Sequence, residues 1–496
     1  MAVYEPTIGL EIHAELKTRT KMFCCSKNDS DEQEPNVNIC PVCMAHPGTL
    51  PVINKEAVRH VLRVGVALGA KLADYTEFDR KNYFYPDLPK GYQLSQFDYP
   101  LVSGGELAGV RITRVHLEED TASSVHDDAT GATMVDYNRA GVPLMELVTE
   151  PVIKSAEQAG NFARELQLVL RYLGAGEANM EKGEMRVEAN VSVAPEGERS
   201  AAYVEIKNLN SFRAMERAVA YEIKRQTEIL EQGGVVEKQT LGWDENRQAT
   251  FPQRSKEGSA DYRYFPDPDL PSLKLSELEE FTAEKIRSEM PELPAERRAR
   301  YVAMGVKPDD ADAFVRDVRL SKFFDEVIIG LPKETILLAS NYIANDLVAI
   351  ISSSAKATKD RPYAAKASKG NRDIEARDTK QSAKIPMSVS NFVELVQMIA
   401  ARDISSRVAK DILVLAVSEG GSPRKIAEER DLLQKNNAGA LESTVQAVLG
   451  RNPSVVADFK AGKGAALEFL LGQCMKELRG AGDPAVLREM LQNHLK

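Results

Sequence analysis

Glu11 and His13 stand two residues apart in the stretch TIGLEIHAEL. On an extended chain that spacing sends a carboxylate and an imidazole to the same face, about 7 Å apart. The pair suits shared ligation of a divalent ion, although a solvated His beside a Glu is common. The run HLEEDTASSVHD supplies His116, Glu118, Glu119 and Asp120. Three consecutive acids repel one another unless cations or solvent accommodate them. A magnesium site shared with phosphate oxygens is one accommodation, and an exposed acidic turn is the other. The segment FDRKNYFYPDLPKGYQLSQFDYP carries Arg80, Lys81, Asn82, Tyr83 and Lys90. Basic and aromatic side chains in a Pro- and Gly-punctuated loop fit phosphate gripping and base or ribose stacking, as well as plain structural anchoring. DYNRAGVPLMELVTEP adds Asp136, Asn138, Arg139, Glu146 and Glu150, and GSADYRYFPDPDLP adds Asp261, Tyr262, Arg263, Tyr264 and Asp267. No GxxxxGK[ST] or GxGxxG loop occurs, so a nucleotide site here is of neither common kind.

Five cysteines are present, with Cys24, Cys25, Cys40 and Cys43 clustered and Cys474 apart. Clustering of this kind in a cytosolic chain points to a metal before a disulfide framework. Cys40 and Cys43 make a CxxC knuckle, half of a zinc site, whereas adjacent Cys24 and Cys25 chelate one tetrahedral ion less readily. Three readings stand: a structural four-cysteine Zn2+, a site in which His46 replaces one thiolate, and a metal-free loop. Cys474, in AALEFLLGQCMKEL, reads as buried filler.

Three strands must position these groups. In the first, Ile8, Leu10, Ile12 and Ala14 alternate with Gly9, Glu11, His13 and Glu15. GEMRVEANVSV sets Met185, Val187, Ala189, Val191 and Val193 against Glu184, Arg186, Glu188, Asn190 and Ser192. YVEIKNLNS sets Val204 and Ile206 against Glu205 and Lys207. Period 2 sends one row to a core and the other to the opposite face, and carboxylates with His, Arg and Asn suggest that this face bears a site. Ser155 with Gln158 makes a capping-box pattern ahead of the apolar stripe Phe162, Leu166, Val169, Leu170 and Leu173, which Gly174 stops. A further helix follows Ser211, with Met215, Val219, Ile223 and Leu230 inward.

At 496 residues the chain accommodates about three domains at ~150 residues each. The expected class is α+β: a mixed N-terminal catalytic domain with an antiparallel sheet over 1–290, a helical domain over 291–408, and a helical tail over 409–496. Residues 353–384 are rich in Lys and Arg and poor in large apolar side chains, which predicts a mobile basic loop, either an RNA-touching arm or a solvated insertion. The net charge of −10 argues against RNA binding by bulk phosphate neutralisation, so an RNA partner would meet a local patch or be read by shape. Apolar runs are shorter than a membrane span of ~20 residues, and no signal peptide opens the chain, so no membrane association and a cytoplasmic location are expected.

Together these stretches resemble the GatB family, the B subunit of aspartyl/glutamyl-tRNA(Asn/Gln) amidotransferase. The matching segments, in the family's order, are IGLEIHAELKT, CPVC followed by HPGTLPVINKEAV, FDRKNYFYPDLPKGYQLSQFD, HLEED, DYNRAGVPLMELVTEP, EIKNLNSFRAMERAV, DYRYFPDPDLP and the tail NPSVVADFKAGKGAALEFLLGQCMKELRG. They cover essentially the whole chain apart from 353–384. The resemblance implies a cradle-like catalytic domain, a helical domain and a YqeY-like tail that engages tRNA. It implies ATP-dependent phosphorylation of the side-chain carboxyl of Glu-tRNA(Gln) or Asp-tRNA(Asn). Ammonia released from glutamine by the A subunit then displaces phosphate, in a heterotrimer with A and C subunits. It places Mg2+ on Glu11, His13 and one or both of Glu118 and Glu119. Lys81 and Tyr83 would attend the nucleotide with Arg139, and Glu146, Glu150, Glu188 and Asn190 would line the metal site or the ammonia route. Three departures stand out: TAS follows HLEED where the family has a small pair and Lys, RVEANVS replaces RCDANVS, and CC replaces C-x-C. The missing Lys keeps open a non-catalytic tRNA-binding or assembly subunit of the same complex. A metal-dependent hydrolase lacks a matched base and an open zinc.

Overall fold

The computed structural model describes residues 3–127, 129–198, 200, 202–253, 262–357, 385–434, 438–478, 482 and 484–495. Two compact units divide the chain, Met1–Pro294 and Ala295–Lys496. In the first, the elements that matter for the site are, in chain order, β1 (Tyr4–Glu15), α1 (Lys55–Ala67), β2 (Asp79–Asn82), β3 (Tyr92–Ser95), β4 (Val110–Glu119), β5 (Pro143–Thr149), α2 (Ala156–Leu173), β6 (Met185–Pro195), β7 (Val204–Leu209), α3 (Phe212–Glu231), β8 (Gln239–Asp244), β9 (Ala249–Pro252) and β10 (Phe265–Pro266).

The main sheet runs β9-β8-β7-β6-β1-β5-β4 and continues through the two-residue strands Val102–Ser103 and Lys71–Leu72. Neighbours are antiparallel except β7 and β8, whose parallel pairing follows from the crossover through α3. Alternation builds a single packed face: Ile8, Leu10, Ile12 and Ala14 of β1 join Val115 and Leu117 of β4, Met145 and Leu147 of β5, and Val187, Ala189 and Val191 of β6. Helix α1 packs over β4, α2 over β1 and α3 over β6. With helices closing one face and β1 at the sheet centre, the polar row of each strand is forced to the other side. A smaller sheet, β10-β2-β3, carries the basic and aromatic loop.

Local chemistry sets the helix ends. Asn54 caps α1, accepting from the amides of Glu56 and Ala57. Ser155 Oγ accepts from the Gln158 amide at 3.1 Å, while Gln158 Oε1 reaches the Lys154 amide at 2.9 Å, one residue before the reciprocal position of a capping box. Gly174 ends α2 at φ +63°, a left-handed conformation that side chains with a Cβ resist. Ser211 caps α3 through the Ala214 amide at 3.0 Å. Replacing Ser155 with Ala is expected to remove about 1 kcal/mol from the first turn of α2. Hydrogen–deuterium exchange over residues 156–159 should then quicken roughly fivefold, with the sheet amides unchanged.

The described residues of the second unit form helices and helical turns. Tyr301, Phe314 and Phe324 meet in a buried ring cluster, with the Tyr301 and Phe324 centroids 4.9 Å apart. Toward the C-terminus Leu441, Val445, Leu470, Leu487 and Leu491 form a separate core, and Cys474 is buried in it. The helical run Lys333–Ser352 is long and apolar enough to cross a membrane by length and composition, with a mean hydropathy of 1.4. Ile336, Ala339, Ile343 and Leu347 of this run are buried within the fold, and Leu337 is exposed. Of the basic stretch 353–384, residues 353–357 continue the helix Val348–Ala357, and the rest lies outside the described residues, as does Asp261.

Candidate active site

Register assembles the site. His13 pairs with Glu146 on β5 and with Arg186 on β6, and Glu146 pairs with His116 on β4. Arg186, His13, Glu146 and His116 therefore form one row across four adjacent strands, where directly opposed side chains approach closely. Glu146 Oε2 lies 3.3 Å from the Nε2 of both His13 and His116. Glu11 and Glu118 flank the row on opposite sides. Glu118 stands 3.7 Å from each imidazole and Glu11 3.9 Å from His13. Ser95 of β3 donates to Glu118 Oε2 at 3.0 Å.

The electrostatics follow from this crowding. Burial works against a charge on His116, but Glu146 and Glu118 outweigh it and raise the imidazole to about 9. The same competition raises His13, through Glu146, Glu118 and Glu11. Burial opposes ionisation of Glu146, yet the two imidazoles hold its carboxyl far below the carboxylate range. Glu11, more open, is raised by burial and by Glu146. Lys81 of β2 loses solvation, but Glu118 and Glu146 keep it charged, and its ammonium lies 5.1 Å from the Tyr262 ring centre.

These side chains suit a divalent cation. Two groups each bring their donor atoms within 4.8 Å of one another: Glu11, His13 and Glu146, and His116, Glu118 and Glu146. The set is rich in hard carboxylate oxygen, which suits Mg2+ or Mn2+. Among the described residues, His116 Nδ1 is buried without a hydrogen-bond partner, so this ring is held by its Nε2 side alone.

Other expected residues go elsewhere. Glu119 does not join the cluster. Its parity on β4 is opposite to that of Glu118, and its carboxylate accepts from Lys90 and from the Leu94 amide. Glu150 lies beyond the end of β5 and accepts from Thr113 Oγ1 at 2.8 Å. Arg139 is taken up by the Thr121 and Ala122 carbonyls, each at 3.0 Å. Glu188 pairs with Lys207 at 2.5 Å, across from Glu11, and Asn190 lies opposite Gly9. Tyr83 donates to Gln93 Oε1 at 3.3 Å, and burial together with Glu118 raises its phenol.

Three roles were not assigned from the sequence, although His116 and Asp120 were named there as members of the acidic run. His116 shares the period of Glu118, and that period could have placed it among the ligands. Asp120 receives both Arg186 Nη atoms, at 2.9 and 3.0 Å. Beside this pair, burial and Asp120 push Glu15 up to about 8. Lys21 is fully buried beneath the cysteines, 3.0 Å from the Tyr137 carbonyl and 3.8 Å from Cys43 Sγ. Nothing local in the sequence marks either contact.

The four-thiolate set does not form. Cys24, Cys40 and Cys43 bring their sulfurs together, with Cys40 and Cys43 3.9 Å apart. Cys25 is exposed, because adjacent residues diverge, and neither it nor His46 belongs to the group. A closed tetrahedral zinc site of four cysteines therefore does not fit these residues. A Cys25→Ser variant is expected to keep the zinc content of the wild type, and Cys43→Ser to lower it, as read by elemental analysis.

Residues 6–280 match the GatB/GatE catalytic domain family, and residues 338–495 match the GatB domain family. The chain belongs to the GatB family. It is 41% identical over 494 residues to the B subunit of the aspartyl/glutamyl-tRNA(Asn/Gln) amidotransferase of Thermus thermophilus, covering 99% of this chain and 98% of that protein. The counterpart in Picosynechococcus is 40% identical over 518 residues, covering 99% and 98%. The B subunit of the chloroplastic/mitochondrial glutamyl-tRNA(Gln) amidotransferase of Ostreococcus lucimarinus is 39% identical over 510 residues, covering 99% and 97%. The catalytic-domain match runs from within β1 through β10, so the row of four and both flanking carboxylates lie inside it.

Proposed function

We propose that this chain is the carboxyl-activating subunit of a cytoplasmic tRNA-dependent amidotransferase, acting with A and C subunits on Glu-tRNA(Gln), Asp-tRNA(Asn) or both. The observation that carries the reading is the row Arg186–His13–Glu146–His116 with Glu11 and Glu118 beside it. A free carboxylate resists ammonia because its leaving group would be oxide. Attack of one carboxylate oxygen on the γ-phosphorus of ATP breaks the bond to the β,γ-bridging oxygen, so that an acyl phosphate forms and ADP leaves. Ammonia then attacks the acyl carbon, and inorganic phosphate leaves with the C–O bond electrons. Such transfer is catalysed chiefly by positioning and charge neutralisation.

Glu11, His13, Glu118 and Glu146 would hold Mg2+, with His116 completing the second group. Bound there, Mg2+ supplies positive charge to the phosphoryl oxygens. Lys81, charged and facing Glu118 and Glu146, adds a fixed cation at the same place. Both imidazoles must shed their protons to act as ligands, so loading releases protons and tightens as pH rises. The domain reading at 1–290, 291–408 and 409–496 assigns activation to the first part and tRNA engagement to the tail.

The complex reconstituted with its A and C subunits and supplied with Glu-tRNA(Gln), ATP, Mg2+ and glutamine should form Gln-tRNA(Gln) and release phosphate. Binding of tRNA with no phosphate release by the wild type would instead support the assembly-subunit reading, against which the retained Glu11, His13, Lys81 and HLEED already argue.

A further inference from the structure

Five rings form a chain beside the carboxylate–imidazole cluster. Tyr85 meets Tyr83, Tyr83 meets Tyr262, and Tyr262 meets Tyr264, each pair with centroids 6.0 Å apart and edges inclined. At the far end Phe97 and Tyr264 lie parallel, 4.3 Å apart with 10° between planes. The row comes from two distant stretches, joined because β10 pairs with β2. Phe97 is 56% exposed. A parallel stack that ends on an open ring accepts one more flat ring, whereas the inclined pairs present edges.

The row is anchored to the cluster. Gln96, the residue before Phe97, accepts from the Leu117 amide at 3.0 Å, next to Glu118. Tyr264 sits within the field of Lys81, Glu118 and Glu146. On the function proposed above, the reacting carboxyl is esterified to the 3′-terminal ribose of an RNA. An extended glutamyl ester places that ribose roughly 6 Å from the carboxyl, from ordinary bond lengths. The terminal base must therefore lie close to the cluster.

The chain's net charge of −10 means that phosphate neutralisation alone holds RNA weakly. Stacking is the contribution that does not depend on charge. A nucleoside triphosphate can instead be held through its phosphates by Lys81 and the metal ligands. We propose that Phe97, backed by Tyr264, is the stacking platform for the 3′-terminal nucleoside of the aminoacylated RNA. This inference rests on the proposed function and names where that substrate's reacting end is held.

The test is equilibrium binding of uncharged tRNA(Gln) to the reconstituted complex, with and without the terminal adenosine. Wild type should bind the shortened RNA about tenfold more weakly, within the range of one stacked base. Phe97→Ala should bind intact RNA about as weakly as wild type binds the shortened one, and should not distinguish the two. Phe97→Trp should restore the difference, and KM for ATP should not move in either variant. A Phe97→Ala complex that still distinguishes the RNAs, or a change confined to the KM for ATP, overturns the proposal. Because the RNAs are uncharged, the binding result stands apart from turnover. A wild type that binds as expected but releases no phosphate would count against the proposed function only.

Discussion

Replacing Glu146 with Ala is expected to lower transamidation by the reconstituted complex at least about 10³-fold. Glu146 is common to both donor groups and lies 3.3 Å from each imidazole. Its loss disrupts both groups together, and metal stabilisation of phosphoryl transfer amounts to several kcal/mol. Glu146→Gln keeps the shape but not the charge, so it should fail nearly as badly. Mn2+ titration of the same variants, read by paramagnetic resonance, should show weakened binding independently of turnover. Glu119→Gln gives the contrast, because that carboxylate belongs to Lys90 and the Leu94 amide. Its metal binding should match wild type. Turnover of Glu146→Ala within about threefold of wild type would remove the row from the chemistry.

Arg186→Met is expected to destabilise the first unit by about 3 kcal/mol, because it leaves the buried Asp120 carboxylate without its two-point partner. Arg139 remains 3.7 Å away and offsets part of the loss. The sign with pH follows from Asp120. Burial favours its protonated form, but Arg186 and Arg139 outweigh burial and lower its pKa in the folded protein. A depressed folded pKa contributes stability above the unfolded value of about 3.9 and loses it as pH falls through the folded value. The deficit of Arg186→Met should therefore be full at pH 7 and shrink below about pH 4. Trp243 is the sole tryptophan and is buried on β8, so its fluorescence during urea unfolding reports this unit. A deficit that does not change with pH would sink this account of the pair.

Much of the site was legible because strand parity is a local property. The alternation in TIGLEIHAEL put Glu11 and His13 on the face away from the core, and β1 shows that arrangement. The same parity separates Glu118 from Glu119, which the acidic run alone did not resolve. Capping at Ser155 and Ser211 and the stop at Gly174 were readable for the same reason, since each depends on a few neighbouring residues. The cysteines show the limit. Four thiols close in sequence suggested one ion, but the backbone turns Cys25 outward while Cys24 meets the CxxC knuckle. The fully buried Lys21 fills the space beside them.

By itself the sequence determined the α+β class, the family, the polar faces of β1 and β6, and the residue types able to hold a cation near a phosphate. These follow from period, composition and long motifs, which do not depend on which strands become neighbours. The tertiary structure decided that Glu146 sits between two imidazoles, that Asp120 is held by Arg186, and that Phe97 stacks on Tyr264 from a distant stretch of the chain. Each of these rests on strand order and register, and a shift of one residue would turn the same side chains to the opposite face.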